Sequence, residues 1–465
     1  MAERYGIYVK NVQSFLGIAA FSAVFLYLLH LFIPIEILPY IYSFLTFLLL
    51  LCGLVLINPV NKIVVISLLV LGSLIFFRYK VDMQTIWLSF GENLNLLALF
   101  LLIPLYGTLM SQAGYLQALK TAIARRELTK KARPYRLGYI LTASMGSLLN
   151  LGSMPLVHRI SEESFSKYEE KRFGMTLLRG FGFCMLWSPY FVNVGLVLVL
   201  YDLSWQEIGI YSLFLAFVYT IVTALFFPFL SFKDDRDHTL IQNETRIDRE
   251  TRRLLWAFAA YVIILLFSSF YLDSVLEINM LTVVSILALI LPLAWSVAAN
   301  VTKEFLSAGA GHIKGSFVKL HNELTIFITA GFIGVALSET EIGEVLSEAL
   351  LYMSQGIVPV FSFLLVGTAI LLAFIGIHPV IIVIGLGSSL SPESFGVEAS
   401  YMGLLMLAAW TLSTQLSPFS GSVLLASHLM KTSPLEIVKK NVVFIFVIMF
   451  LFTFLLWGIH GIQSM

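Results

Sequence analysis

Four short stretches place small polar residues beside proline or glycine inside otherwise apolar sequence. They are Asn150-Leu151-Gly152-Ser153-Met154-Pro155, Ser188-Pro189 in LWSPYFVNVG, Gly376-Ile377-His378-Pro379, and Ser417-Pro418 in QLSPFSGSV. Proline removes a backbone donor and clashes with the preceding turn, so each Ser-Pro frees carbonyl groups within a helix. Freed carbonyls and hydroxyls coordinate Na⁺, and the N-terminus of a helix restarted after a break attracts an anion. The candidate substrate- and ion-binding residues are therefore Asn150, Gly152, Ser153, Ser188, Pro189, Asn193, Gly376, His378, Pro379, Ser417, Pro418, Ser420, Gly421 and Ser422, with Na⁺ expected near Asn150, Ser153, Gly376 and Ser417. A plain kink is the alternative reading of each proline, and small polar residues also pack helices together in membranes. His378 is a candidate for carrying a coupling proton. A hydrogen-bonded structural role is the alternative for His378, and the favoured one for His428.

Other charged residues read as structural. Arg179, one or two turns inside an apolar span, is expected to snorkel to the interface, with attraction of an anionic substrate as the alternative. Glu92 and Glu323 sit at the ends of apolar spans and read as interfacial. Asp234 and Asp235 lie in a mixed charge run that reads as solvated surface rather than a metal site. Cys52 and Cys184 fall in apolar blocks and form no CxxC-type motif, so no cofactor is expected beyond a coupling ion, Na⁺ or H⁺.

The elements that must position these residues are membrane helices. The 465 residues are 58% hydrophobic and 12% charged, with mean hydropathy +0.90, against about 25% charged residues in soluble proteins. The apolar residues come in blocks of the length needed to cross about 30 Å of hydrocarbon. Spans are predicted near 13–33, 36–57, 61–78, 95–119, 174–200, 209–230, 254–272, 278–298, 321–349, 401–430 and 438–459. Two interrupted stretches, 138–157 and 358–385, read as re-entrant hairpins. A net charge of +1 supplies no basic field for nucleic acid. Basic residues cluster in 120–137, 158–173 and 231–253, and reading 138–157 as a hairpin puts all three clusters on one side. By the positive-inside rule that side is cytoplasmic, giving a cytoplasmic N-terminus and an external C-terminus in the plasma membrane. Lys80 and Arg78, in or beside an external loop, run against the rule.

The two halves match each other. A shift of 227 superimposes Asn95 on Asn322, Gly107 on Gly334 and Ser111 on Ser338. A shift of 224 places Gly152 on Gly376 and Pro155 on Pro379; a shift of 229 aligns Ser188-Pro189-Tyr190 with Ser417-Pro418-Phe419, and Ser204 and Glu207 with Ser433 and Glu436. The spans at 95 and 321 run in opposite directions, so the repeats are inverted, as alternating access requires. The expected fold is an all-α polytopic membrane protein with about 11 transmembrane helices and two hairpins. Its parts are N-terminal helices (1–90), a first repeat (91–230, hairpin 138–157, broken helix 174–200), a cytoplasmic linker (231–253), scaffold helices with an amphipathic segment (254–319), and a second repeat (320–465, hairpin 358–385, broken helix 401–430).

At these motifs the chain resembles the ion transporter superfamily, which includes divalent anion:sodium symporters, citrate carriers, arsenite permeases and the large membrane subunit of TRAP transporters. The resemblance runs over roughly 90–460: span, basic amphipathic segment, hairpin, broken helix with SPY or SPF, span, then the same again. It implies a scaffold and a transport domain in each half, elevator-type movement and a homodimer. It further implies substrate and coupling ions at the two hairpin tips and at the breaks at Ser188 and Ser417. Where divalent anion symporters carry Ser-Asn-Thr, this chain has Asn150-Leu151-Gly152-Ser153 and Ile375-Gly376-Ile377-His378. The expected function is ion-coupled secondary transport of a small organic or inorganic anion across the bilayer, not enzymatic catalysis. A cation/proton antiporter and a flippase for a lipid-linked phosphate headgroup are the alternatives.

Overall fold

The computed structural model describes residues 2–129, 133–165, 167–239, 248–276 and 278–463. Lys130, Lys131 and residues 240–247 of the expected linker lie outside them. Helices make up most of the described residues, so the core is helix packed on helix. Among the described residues, ten helices are long and apolar enough to cross a membrane. Large apolar side chains such as Phe77, Phe217 and Phe267 face outward, Phe77 being 86% exposed. Such a surface suits lipid, where apolar groups lose nothing by exposure. The protein is a multi-pass, all-α membrane protein.

Three helices come first: α1 (Ala2–Phe32), α2 (Leu38–Leu56) and α3 (Pro59–Tyr79). The side chain of Asn58 accepts from Asn61 N at 2.9 Å and Pro59 occupies the first position of α3, a start that uses a proline where no donor is needed. A segmented span follows, α4 (Met83–Leu88), α5 (Leu94–Leu102) and α6 (Pro104–Gln112), then α7 (Tyr115–Thr129). The expected span 95–119 therefore ends early, at a bend where Gly114 takes φ +75°, a conformation that disfavours residues with a Cβ. The first hairpin is α8 (Pro134–Leu149) and α9 (Ser153–Ser164), which fold back on each other through Asn150 at φ +52°.

A broken helix comes next, α10 (Glu170–Met185) and α11 (Val192–Leu200), followed by α12 (Trp205–Phe226), α13 (Arg249–Val275) and α14 (Met280–Ala298). The charged linker does not hang free where it is described. Residues Asp237–Thr239 (β2) pair antiparallel with Lys167–Glu169 (β1). Asp235 accepts from the N–H groups of Lys171 and Arg172 at 2.7 and 2.9 Å, capping α10.

The second half runs α15 (Thr302–Ser338), α16 (Ile342–Ser354), a hairpin of α17 (Val358–Phe374) and α18 (Pro379–Gly387), a broken helix of α19 (Ala399–Leu416) and α20 (Gly421–Met430), and α21 (Pro434–Gln463). The span expected at 321–349 differs: the amphipathic segment and the span form one 37-residue helix that stops at Ser338, with no Pro within it and with Gly309, Gly311 and Gly315 accommodated in its first half. The crossings begun at α10, α12, α13, α14 and α15 separate the two hairpins. That number is odd, so the hairpins enter from opposite faces.

The matched sequence positions have matched structural roles. In each half the hairpin's first arm lies along the first part of the broken helix, α8 on α10 and α17 on α19. Gly107 and Gly334 are where each hairpin leans on the preceding span: an added Cβ would stand 3.3 Å from Leu149 and 3.1 Å from Ile384. Ser204 and Glu207 form a capping box at the start of α12, and Ser433 accepts from Glu436 N at 3.2 Å at the start of α21.

Candidate functional site

Both hairpin tips and both helix breaks meet at one cavity of about 90 Å³. Asn150 and Leu151 reach it from the first tip, and His378, Pro379 and Val380 from the second. Phe191, Val192 and Asn193 line it at the first break, and Thr414, Ser420, Gly421 and Ser422 at the second. Of the expected site residues, Asn150, Asn193, His378, Pro379, Ser420, Gly421 and Ser422 thus come together here. Gly152 lines an adjoining cavity of about 330 Å³ that shares Asn150, Leu151, Val192 and Glu323 with the first. Ser153, Ser188, Pro189, Gly376, Ser417 and Pro418 are not among the residues lining either cavity.

The serines act as pins. Ser188 Oγ donates to Ser147 O at 3.0 Å, and Ser417 Oγ donates to Ala373 O at 2.6 Å. Each therefore ties its break to the last turn of its own hairpin's first arm. Each also accepts the N–H two residues on, from Tyr190 at 3.4 Å and Phe419 at 3.3 Å. Ser153 Oγ donates to Asn150 O at 2.8 Å. The carbonyls freed by proline are engaged as well. Met185 O accepts from Asn193 Nδ2 at 2.7 Å, Trp187 O from Trp205 Nε1 at 2.9 Å, and Thr414 O from Ser420 Oγ at 2.6 Å. Most oxygens expected to hold Na⁺ therefore already accept or donate within the protein.

What the cavity offers is positive. The first N–H groups of a helix have no intrahelical acceptor. At the cavity these belong to α11, beginning Val192-Asn193, and α20, beginning Gly421-Ser422, and the two pairs match at the same offset of 229. Both helix dipoles direct their positive ends there. Ser422 is 2% exposed and its Oγ has no partner, and Thr414 Oγ1 is likewise buried and unpaired. His378 Nδ1 accepts from Val380 N at 3.3 Å, capping α18. A neutral ring in that role carries its proton on Nε2 and is a donor there. Among the described lining residues none is Lys or Arg.

Two residues depart from their sequence reading. Glu323 is not interfacial: it lines both cavities, is half-buried, and its Oε2 is enclosed without a hydrogen-bond partner. Arg179 does not snorkel. It is 2% exposed, stacks over Phe444 at 4.0 Å, and donates from Nε to Asn441 Oδ1 at 3.3 Å. Asn441 Nδ2 in turn donates to Gln415 Oε1 at 3.1 Å, and Gln415 Nε2 to Tyr219 OH at 2.6 Å. This network joins α10, α12, α19 and α21 just behind the second break. Asn441→Leu leaves Arg179 Nε and Gln415 Oε1 unpaired, and should lower stability by about 1–3 kcal/mol, read as a lower unfolding midpoint of the purified protein in detergent.

Two inverted halves, each a hairpin against a broken helix, thus bring their breaks together at one cavity. No family model matches the chain, and no curated protein does. Among solved structures, the YdaH transporter of Alcanivorax borkumensis, described as having an unusual topology, matches with a TM-score of 0.51 and 13% identity, over 77% of this chain and 83% of that one. At that identity the likeness concerns the fold.

Proposed function

We propose that the chain is a secondary active transporter: an ion-coupled carrier of a small organic or inorganic anion, working by an elevator-type movement of the hairpins and broken helices against the remaining helices. The observation that carries this reading is the pair of symmetry-matched helix N-termini, Val192-Asn193 and Gly421-Ser422, directed at one cavity with the unpaired hydroxyl of Ser422. Unpaired N–H groups and positive dipole ends favour an anion, and inverted halves around a shared site suit alternating access. On this reading the N-terminus is cytoplasmic, the protein resides in the plasma membrane, and two copies associate. Uptake into liposomes by the purified protein tests it, with labelled carboxylates and inorganic anions and imposed Na⁺ or proton gradients. Gradient-driven accumulation of an anion supports the reading. Absence of anion uptake under both gradients, with protein that is folded and inserted, contradicts it.

A cation/proton antiporter is the second reading, because Glu323 puts a carboxylate at the cavity where the sequence suggested none. Cation efflux in exchange for protons, with no anion moved, would select it.

A further inference from the structure

We infer that the carboxylate of Glu323 takes on and gives off the proton that drives this carrier, so that anion and proton occupy the shared cavity together. The inference rests on the anion-carrier reading and names its coupling site.

Glu323 reaches the cavity from α15, which packs against α1, α2 and α3, so the carboxylate faces the two helix N-termini from the wall formed by the other helices. Its Oε2 is enclosed and unpartnered. A buried carboxylate oxygen without a donor is costly, and a proton or a metal cation would relieve that cost. Sodium needs several oxygen ligands, as hard cations do. The neighbouring lining residues Leu99, Phe100, Ile103, Pro104 and Leu320 supply no side-chain oxygen, Asn150 Oδ1 already accepts from Leu151 N, and the freed carbonyls of the breaks are engaged, which leaves the hydroxyls of Thr414 and Ser422, on the helices of the second break, as the free side-chain oxygens. A proton needs only the carboxylate.

The charges then couple the two ligands. The titratable group facing Glu323 is His378, across the cavity on α18; His321, two residues back on α15, lies on another face of that helix with its ring against Val318 O, and the described lining residues of α5, α6, α7, α8, α9, α10, α11, α19 and α20 carry no charge. An ionised carboxylate several ångström from a bound anion, at an effective dielectric near 20, weakens its binding on the order of 100-fold. The protonated carboxyl removes that repulsion. A proton from water on one side joins a Glu323 oxygen and the anion enters between α11 and α20; the hairpins and broken helices then carry the anion past α15, which opens the Glu323 carboxyl to the other side, where the anion leaves and the proton returns to water. No covalent bond other than O–H changes.

The test uses full-length protein and three probe anions: inorganic sulfate, inorganic phosphate and malonate. Wild-type protein should accumulate at least one of them under a proton gradient. Glu323→Gln should hold it only at its equilibrium distribution, and Glu323→Asp should restore part of the accumulation. The infrared C=O band of a protonated carboxyl, followed in wild-type protein as pH is varied, should lose a component in Glu323→Gln. That reading does not depend on transport. Accumulation under a Na⁺ gradient alone, proton-driven accumulation surviving in Glu323→Gln, or an infrared band unaltered by the substitution overturns the inference and leaves the anion carrier standing. Uptake of none of the three anions by wild-type protein under any gradient overturns the carrier reading and this inference with it.

Discussion

Gly421→Leu should abolish anion uptake while leaving the protein folded. Gly421 begins α20 at the cavity, and a Cβ there would meet Leu151 Cδ1 of the first hairpin tip at 3.5 Å, ordinary contact distance. Its φ is not among the positive values of the chain, so a side chain is tolerated by the backbone. Gly421→Ala therefore fits, and should lower uptake without stopping it. Leucine extends further into a space of only about 90 Å³, occupies the place of the anion, and screens the Gly421 and Ser422 N–H groups from it. Uptake should fall to the level of protein-free liposomes, with elution and unfolding midpoint close to wild type. Full transport by Gly421→Leu would remove the cavity from the account.

The second large effect is expected from removing both pins. Ser188→Ala leaves Ser147 O without its donor, whereas Ser417→Ala removes one of the donors to Ala373 O, which still accepts from Gly376 N at 3.2 Å. A carbonyl left unpaired costs about 1–3 kcal/mol, and losing one of several bonds to a carbonyl costs about 0.5–1.5 kcal/mol. The two sites belong to separate hairpins and share no partner, so their costs should add, to about 1.5–4.5 kcal/mol for the double variant. The loss falls on the contact that keeps each hairpin tip in register with its break. Uptake should therefore drop more than the amount of folded protein does, and each single variant should lie between wild type and the double. Thermal unfolding in detergent, measured beside uptake normalised to folded protein, separates the two quantities. A double variant as stable and active as wild type would contradict the role of these hydroxyls.

That role was only half legible in the sequence. The repeat offsets, the two hairpins and the two breaks follow from proline, glycine and capping signals, whose effects are local. Local signals survive without knowledge of what packs where. The direction of a hydroxyl does not: Ser188 and Ser417 read as ion ligands because they stand beside proline, and only the hairpin lying across each break shows that their protons are given to Ser147 O and Ala373 O. Asn193, read as a binding residue, lines the cavity, yet its amide nitrogen is spent on Met185 O.

The two charged residues misread from sequence fail for a shared reason, the misplacement of a membrane edge. Hydropathy starts a span at 321 and leaves Glu323 at its rim, whereas α15 has run since Thr302 and carries Glu323 beyond its midpoint, opposite the hairpin tips. A continuous helix from an amphipathic stretch into an apolar one gives no boundary to read. Arg179 lies near the start of an apolar block, but α10 is an inner helix packed against α8, α19 and α20, so no interface lies within its reach. Its guanidinium is held by Phe444 and Asn441 from a helix more than 260 positions away in sequence, a separation across which composition carries no information. The amphipathic partners α7 and α16 begin at Tyr115 and Ile342, the same offset of 227 that aligns the spans, so the repeat does place them once a turn signal is sought after each span.

The central claim is that the cavity between Val192-Asn193 and Gly421-Ser422 holds the transported anion. Its most direct test is the labelling of Gly421→Cys by a small thiol reagent, in protein whose half-buried Cys52 is replaced by Ala and whose fully buried Cys184 is left in place. Increasing concentrations of an anion that the protein transports should slow the labelling in step with saturation of transport, and anions that are not transported should leave it unchanged. Labelling that proceeds at the same rate with and without a transported anion would contradict the claim.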